Sequence, residues 1–335
     1  MKYIFLLLLL LTTACQATTT PVPATETPAV DATPLILPAG LQSERLPYQF
    51  KRPTQFTVVD NFLYVAQLNG GENEGQGQVI RVNLNDGEQH ILAEQLDKPT
   101  GIAVLNNKLW IATRDAILRR SLTDGAELET ILEGLPNNGR SNGTLTITPD
   151  NKILYETSGN KRDSNSGKLW ALDPETLEST ELASGLKGAY AHTVDANGRI
   201  WFTEIADGQV EGVTLPDELN LLAAGADFGW PRCYGRELAG PDCTNVRPAV
   251  TIFTPQSTPT SVAISPFAPD TLLVALWVTG EVVQLPITFT ADNAIGEPQP
   301  FLSGINRPQH LETQADGSVW VSDYDTGNIY KIWKP

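Results

Sequence analysis

One kind of short apolar segment returns along the chain at a nearly constant interval, and that interval constrains the fold most. The repeat marks Tyr64, Trp110, Tyr155, Trp201, Leu273 and Trp320 are spaced by 46, 45, 46, 72 and 47 residues. Most of their segments follow a turn pair: Asp60-Asn61, Asn106-Asn107, Asp150-Asn151, Asn197-Gly198 or Asp316-Gly317. Asn, Asp and Gly accept the positive φ that tight hairpins require. A period in the forties with several short strands per unit reads as propeller blades. Six marks therefore predict an all-β, six-bladed propeller. Little chain follows Trp320, so a strand from Leu46–Phe50 is expected to complete the last blade and remove its open edge.

The long spacing exceeds its neighbour by 26 residues. The excess falls on Asp217–Cys243, DELNLLAAGADFGWPRCYGRELAGPDC, which is expected to be an insertion after the fourth mark. Long loops on a rigid repeat scaffold usually carry function. Gly229 ahead of Trp230-Pro231 points to a backbone turning tightly around large side chains.

Ahead of the repeats, Met1-Lys2-Tyr3 and the apolar run Ile4–Leu11 lead into Thr12-Thr13-Ala14-Cys15. This is the order of an export signal, too short to span a membrane. Small residues before Cys15 resemble a lipobox, so residues 1–15 are expected to end at a lipidated cysteine. Ordinary cleavage and release is the alternative. Residues 16–40, rich in Thr, Pro and Ala, read as a tether, and 41–335 as the propeller. With Cys15 assigned to the lipid, Cys233 and Cys243 remain as a pair expected to form a disulfide in an oxidising compartment. A net charge of −16 with no basic run argues against nucleic acid and anionic membrane surfaces as partners. Membrane contact is expected only through the lipid at Cys15, and the chain as a monomer.

Twelve to fifteen residues ahead of five marks stand Arg52, Lys98, Arg140, Lys187 and Arg307. If the inner strands start on one rim, these cations form a mouth for an anionic ligand. Alternatively, each caps its own loop or pairs with a nearby acid. Ten residues before Trp320 stands His310, at an offset that gives Thr54, Thr100, Ala191 and Ala263 in other blades. Small side chains there fit a crowded axial channel, which places His310 in it; a structural histidine is the other reading. His192 is expected in the core, and His90 on an outer strand. Asp217 and Glu218, with carbonyls around Leu215-Pro216, offer oxygen ligands to calcium. There is no Ser-His-Asp order, phosphate loop or nucleotide-binding glycine motif.

Asp217-Glu218-Leu219-Asn220, then Ala224–Pro231, Cys233-Tyr234-Gly235 and Cys243 resemble the hallmark insertion of the glucose/sorbosone dehydrogenase family. Gly185-Leu186-Lys187, Thr203-Glu204, Thr254-Pro255, Ser261-Val262-Ala263, Arg307-Pro308 and Ser322-Asp323 extend the likeness across about Arg52 to Lys334. The resemblance implies a six-bladed propeller oxidising aldoses or related sugars with pyrroloquinoline quinone and calcium. It implies a cofactor set of Arg140, Lys187, Arg307, Lys98 and Asn220, and a metal set of Pro216, Asp217 and Glu218. At the family's general-base histidine this chain has Arg140, or Ser141 if the loop slips by one. An arginine accepts no proton at neutral pH. The two catalytic candidates are Arg140, by its place at that family position, and His310, the one histidine placed near the channel. A degenerate site leaves two other functions open: a non-catalytic, lipid-tethered propeller gripping a sugar or other anionic ligand, and a calcium-dependent hydrolase of the lactonase type.

Overall fold

A computed structural model describes residues 34–335, apart from 138–141, 161–162, 164–165, 207 and 211. The export signal with Cys15, most of the tether, and Arg140 and Ser141 lie outside the described residues. The described residues contain no helix and form six main antiparallel sheets. Each sheet opens on an inner strand that precedes its repeat mark. These are Pro53–Val59, Gly101–Leu105, Thr146–Ile147, Ala191–Val194, Pro259–Ile264 and Pro308–Thr313. Pro53–Val59 packs beside both Gly101–Leu105 and Pro308–Thr313, and Pro259–Ile264 beside Ala191–Val194 and Pro308–Thr313. Gly101–Leu105 also lies against Thr146–Ile147. Thr146 Oγ1 donates to the His192 carbonyl at 2.8 Å, joining the third inner strand to the fourth. The circuit closes: this is the six-bladed propeller expected from the spacings.

Strand alternation explains the core. All six marks are buried, and each packs between sheets rather than on the rim. Trp201 and Leu219 of the fourth blade, for example, share a cluster with Val262 and Val274 of the fifth. Asp60, Asn106, Asn107 and Asn151 take positive φ between 51° and 62° in the hairpin turns that were read from their identities.

Closure uses Gln42–Gln49, which pairs antiparallel with Asn328–Trp333, so the closing strand begins four residues before the expected Leu46. At its end Phe50 N–H donates to the Gly327 carbonyl at 2.9 Å. A Cβ at Gly327 would sit 1.7 Å from the Phe50 carbonyl oxygen, and φ is +73°, so only glycine fits. Residues 34–40, assigned by composition to the tether, belong to the compact unit. Ile36 exchanges backbone hydrogen bonds with Ser303 at 2.8 and 3.1 Å, and the unit begins at Pro34.

The long spacing divides differently from expectation. Asp217–Leu221 is no insertion: it is the third strand of the fourth blade, paired with Ile200–Glu204 and followed at its edge by Thr251–Phe253. The extra chain lies on either side of it. Ahead of it is a small hairpin of Gln209–Val210 with Val213–Thr214. Behind it, residues 222–250 cross to the third blade, where Ala226–Asp227 pairs parallel with Ala183 and Ser184. Phe228 meets Phe202 edge-on at 5.0 Å, and Cys233 and Cys243 form the expected disulfide. At Gly229 φ is +94° and a Cβ would lie 2.7 Å from the Cys233 carbonyl, which is why glycine precedes the tryptophan.

The seam between the first and last blades carries Glu312, whose Oε1 accepts from Thr57 Oγ1 at 2.9 Å and Val58 N–H at 3.4 Å. Burial pushes its carboxyl up to about 7, against hydrogen bonds that pull it down. A folded-state value above the unfolded one gives a contribution fully present below the ordinary carboxylate range and lost as pH rises through about 7. Chemical denaturation should therefore show the domain losing stability between about pH 5 and pH 8. Glu312→Gln should flatten that loss by on the order of 2–3 kcal/mol, and an unchanged profile would refute this assignment.

Candidate functional site

Where the inner strands begin, their first residues ring a cavity of about 390 Å³ on the channel axis. Thr54, Thr100, Tyr190, Thr260 and Gln309 occupy matching positions in five blades and all line it. The threonines also stitch blade to blade. Thr54 Oγ1 donates to the Pro99 carbonyl at 2.7 Å and Thr260 Oγ1 to the Pro308 carbonyl at 3.0 Å. Across the axis, Gln309 Nε2 donates to Tyr190 Oη at 3.1 Å, joining the fourth blade to the sixth. Trp277 and Tyr324 add aromatic wall, meeting edge-on at 5.6 Å.

Cations crown this wall. Lys98 and Lys187 line the cavity itself. Arg307 lies over the Trp277 ring at 4.1 Å and Arg52 over the Tyr324 ring at 6.0 Å. The four described rim cations thus share one mouth, and each also has a local partner. Lys98 Nζ is 3.0 Å from Glu72 and Arg307 is 3.3 Å from Asp325. Arg52 donates to the Gly70 carbonyl at 3.0 Å, and Lys187 Nζ to the Gly159 carbonyl at 3.2 Å. Convergence on one rim and local pairing are thus both present.

Below the cations lie buried carboxyls that the sequence reading did not single out. Glu156, 1% exposed, lines the cavity from Ile153–Thr157. Its Oε1 accepts from Gly143 N–H at 3.1 Å and Ser158 Oγ at 3.4 Å, while Oε2 has no hydrogen-bond partner. Burial pushes Glu156 up to about 7, with the Gly143 N–H, the Lys187 charge, the Ala189 N–H and the Ser158 hydroxyl opposing. Asp217 also lines the cavity, but both its oxygens are taken: Ala206 N–H at 2.9 Å, Thr258 N–H at 2.8 Å and Ser257 Oγ at 3.2 Å. Its carboxyl too is raised by burial.

Glu218 faces away from the channel, because neighbours on a strand point to opposite sides. It stands beside Glu204 of the adjacent strand. Asn220 Nδ2 donates to both, at 3.2 Å to Glu218 and 3.4 Å to Glu204, and Gly235 N–H caps Glu218 at 2.5 Å. Burial, then each acid's proximity to another, lifts both carboxyls, Glu218 to about 7. Two such groups side by side disfavour each other's ionisation.

Several predicted site residues fall elsewhere. His310 does not face the channel. It is buried edge-on against Phe56 at 5.0 Å, with Nδ1 3.4 Å from Ser261 Oγ, and burial pulls it down to about 3. The cause is turn length. Four residues separate the paired Val58 and Leu63, whereas five separate the equivalent Thr313 and Val319. Counting back ten from Trp320 therefore lands one position late, and one position on a strand means the opposite face. Gln309 takes the channel place. Asn220 is fully buried between Glu204 and Glu218 and does not reach the cavity, so it is no cofactor ligand. Pro216, Asp217 and Glu218 do not converge: Pro216 and Glu218 border a separate pocket of about 10 Å³, away from Asp217. Among the described residues no group of three His, Cys, Asp or Glu side chains is arranged to hold a metal. His192 is buried as expected, with Nδ1 2.9 Å from Thr146 Oγ1, and His90 is exposed on its outer strand. Arg140 lies outside the described residues. A glutamate inside the apolar strand Ile153–Thr157 was the available signal for Glu156.

No protein-family model matches the sequence, and no curated protein does. Solved structures match the fold along most of the chain. A carbohydrate-active enzyme of family AA12 from Trichoderma reesei matches with a TM-score of 0.75 and 16% identity, covering 93% of this chain and 100% of that one. The PQQ-bound form of an aldose sugar dehydrogenase from Streptomyces coelicolor matches at 0.70 and 17%, covering 89% and 99%. The holo PQQ domain of a pyranose dehydrogenase from Coprinopsis cinerea matches at 0.70 and 15%, covering 90% and 97%.

Asn220 should behave as a structural residue. Asn220→Leu strips two buried carboxyls of a donor and is expected to cost on the order of 3 kcal/mol in chemical denaturation. Affinity for an anionic ligand in the cavity should change less than about twofold, and a larger change would return Asn220 to the binding site.

Proposed function

We propose that this chain is an oxidoreductase of the sugar-dehydrogenase kind, oxidising a sugar or aldehyde in its axial cavity with pyrroloquinoline quinone. The observation that carries the reading is the cavity itself: two lysines above aromatic walls, on a scaffold matched along most of its length by sugar dehydrogenases. A planar polycarboxylate fits those residues. Lys98 and Lys187 would hold its carboxylates at the mouth, and Trp277 and Tyr324 would flank its ring. Arg307 and Arg52, lying over those aromatics, fix the walls from outside. The quinone, when bound, supplies the electrophile that accepts the substrate's hydride. Tyr190, whose hydroxyl proton burial makes hard to remove, and Gln309 present polar atoms to orient sugar hydroxyls. Among the described residues no three His, Cys, Asp or Glu side chains are grouped for a metal, and no step is derived through calcium.

One observation favours a second reading. None of the three histidines lines the cavity, which suits a non-catalytic propeller that binds a sugar or other anionic ligand. Calorimetric titration of the purified full-length protein with pyrroloquinoline quinone separates the two. Tight binding supports the oxidoreductase, and no binding leaves the binding module. Lys98→Met and Lys187→Met should each weaken quinone binding by about fivefold, near ~1 kcal/mol, and added salt should weaken the wild type in the same direction.

Anchoring through Cys15 to the outer face of a bacterial membrane belongs to the same proposal, and it rests on the leader's residue order. Cys15→Ser should move the protein from the membrane fraction to the soluble one on fractionation of expressing cells. Unchanged partition would refute the anchor.

A further inference from the structure

The oxidation proposed above needs a group to take a hydroxyl proton, and neither catalytic candidate from the sequence supplies one. His310 is buried off the channel, and an arginine is no base. The acids near the cavity can be sorted by their free oxygens. Asp217 has both oxygens occupied by backbone N–H groups and a hydroxyl. Glu204 and Glu218 stand outside the cavity wall, tied to Asn220 and to backbone N–H groups. Glu72, also on the wall, is half exposed and paired with Lys98 at 3.0 Å. Glu156 alone among these five combines a buried place on the cavity wall with an oxygen, Oε2, that makes no hydrogen bond, although the Ala189 N–H also acts on its carboxyl.

That oxygen is itself buried, on a residue of the cavity wall. Oε1 is held by Gly143 and Ser158, which fixes the carboxylate plane and leaves Oε2 as the working atom. Gly188 also lines the cavity, and a Cβ there would only come into ordinary contact with Oε2, at 4.0 Å. The charged and titratable groups acting on Glu156 or acted on by it are Lys187, Tyr190 and Glu204. Asp217, Lys98 and Glu72 stand further round the wall. An orphaned oxygen on a buried carboxyl is costly to keep, and a hydroxyl donor from a ligand satisfies it.

We propose that Glu156 is the proton acceptor of this site, with Oε2 receiving the hydroxyl proton of the substrate carbon that becomes a carbonyl. The inference rests on the oxidoreductase reading. In the step, the O–H bond breaks and its proton passes to Oε2. The C–H hydrogen leaves with its electron pair to a quinone oxidant, and the C–O single bond becomes a double bond. The charge balances: carboxylate becomes carboxylic acid, and the quinone gains a hydride. A carboxyl raised to about 7 is a stronger base than an ordinary one and is still about half ionised at neutral pH.

The test uses the full-length protein, with pyrroloquinoline quinone and glucose as probes. Glu156→Gln keeps an oxygen for the Gly143 N–H but accepts no proton. It should lower kcat by about 100-fold or more, with KM and quinone affinity within about threefold. The rise of wild-type activity with pH through about 7 should vanish with it, and Glu156→Asp should restore part of the rate. A Glu156→Gln variant that keeps both its rate and the pH limb overturns the inference. A readout free of turnover covers the case in which the wild type binds no quinone and the oxidoreductase reading itself fails. Carboxyl-¹³C resonances of the quinone-free protein, with Glu156 assigned by its loss in Glu156→Gln, are titrated with and without glucose. A glucose-dependent displacement of the Glu156 titration supports its contact with a sugar hydroxyl. A titration that glucose does not move overturns the inference.

Discussion

The site depends on backbone hydrogen bonding between the two ends of the compact unit. Gln42–Gln49 lies on Asn328–Trp333, so the last blade has no bare edge facing solvent, and the sheets are held as a ring. Only a closed ring brings the inner-strand starts to one place. Thr54, Tyr190 and Gln309, far apart in sequence, become neighbours around one cavity because every blade contributes the same position. Nothing local in any blade would bind a ligand. The glycine at 327, with no room for a Cβ against Phe50, shows how closely the closing strand must approach.

Charge is arranged in depth. A chain of net charge −16 sets lysines and arginines round the mouth and sinks carboxyls beneath them. Each buried carboxyl has lost water, and backbone N–H groups and neighbouring side chains replace only part of that solvation. Glu204 and Glu218 answer the problem by sharing the Asn220 donor, which makes them part of the frame. Glu156 answers it incompletely. A strongly perturbed acid in a cleft is a candidate for function, and here the geometry separates the two cases in neighbouring blades.

Much of the fold was legible in the sequence because blades repeat and their turns have chemical identities. The spacing of Tyr64, Trp110, Tyr155 and Trp201 gave the blades, and Asn and Asp at the turns took the positive φ their types allow. The cysteine pair and the closing strand could likewise be read from position alone. The site was less legible, since it depends on which face each side chain takes. One additional residue in the turn before Val319 put Gln309 rather than His310 in the channel. Asp217 and Glu218 look like a pair in sequence, yet strand alternation sends them to different sides of the sheet. The unusual stretch Asp217–Leu221 was read as an addition to the scaffold and is a strand of it. The four rim cations within the described residues share the mouth, because the start of a strand is a property of order along the chain rather than of side-chain direction.

A ring of like sheets is close to sixfold symmetric, and a symmetric channel offers a ligand six equivalent orientations. The segment that leaves the fourth blade, adds Ala226–Asp227 to the third and returns as Thr251–Phe253 breaks that equivalence at a single seam. Trp230, carried on the same segment, lies 5.6 Å from the ammonium of Lys187, so the asymmetry is felt at the mouth. The seam thus gives the cavity a compass direction. The third and fourth blades meet the mouth differently from the other four, a difference added to the unlike side chains already at the inner-strand starts.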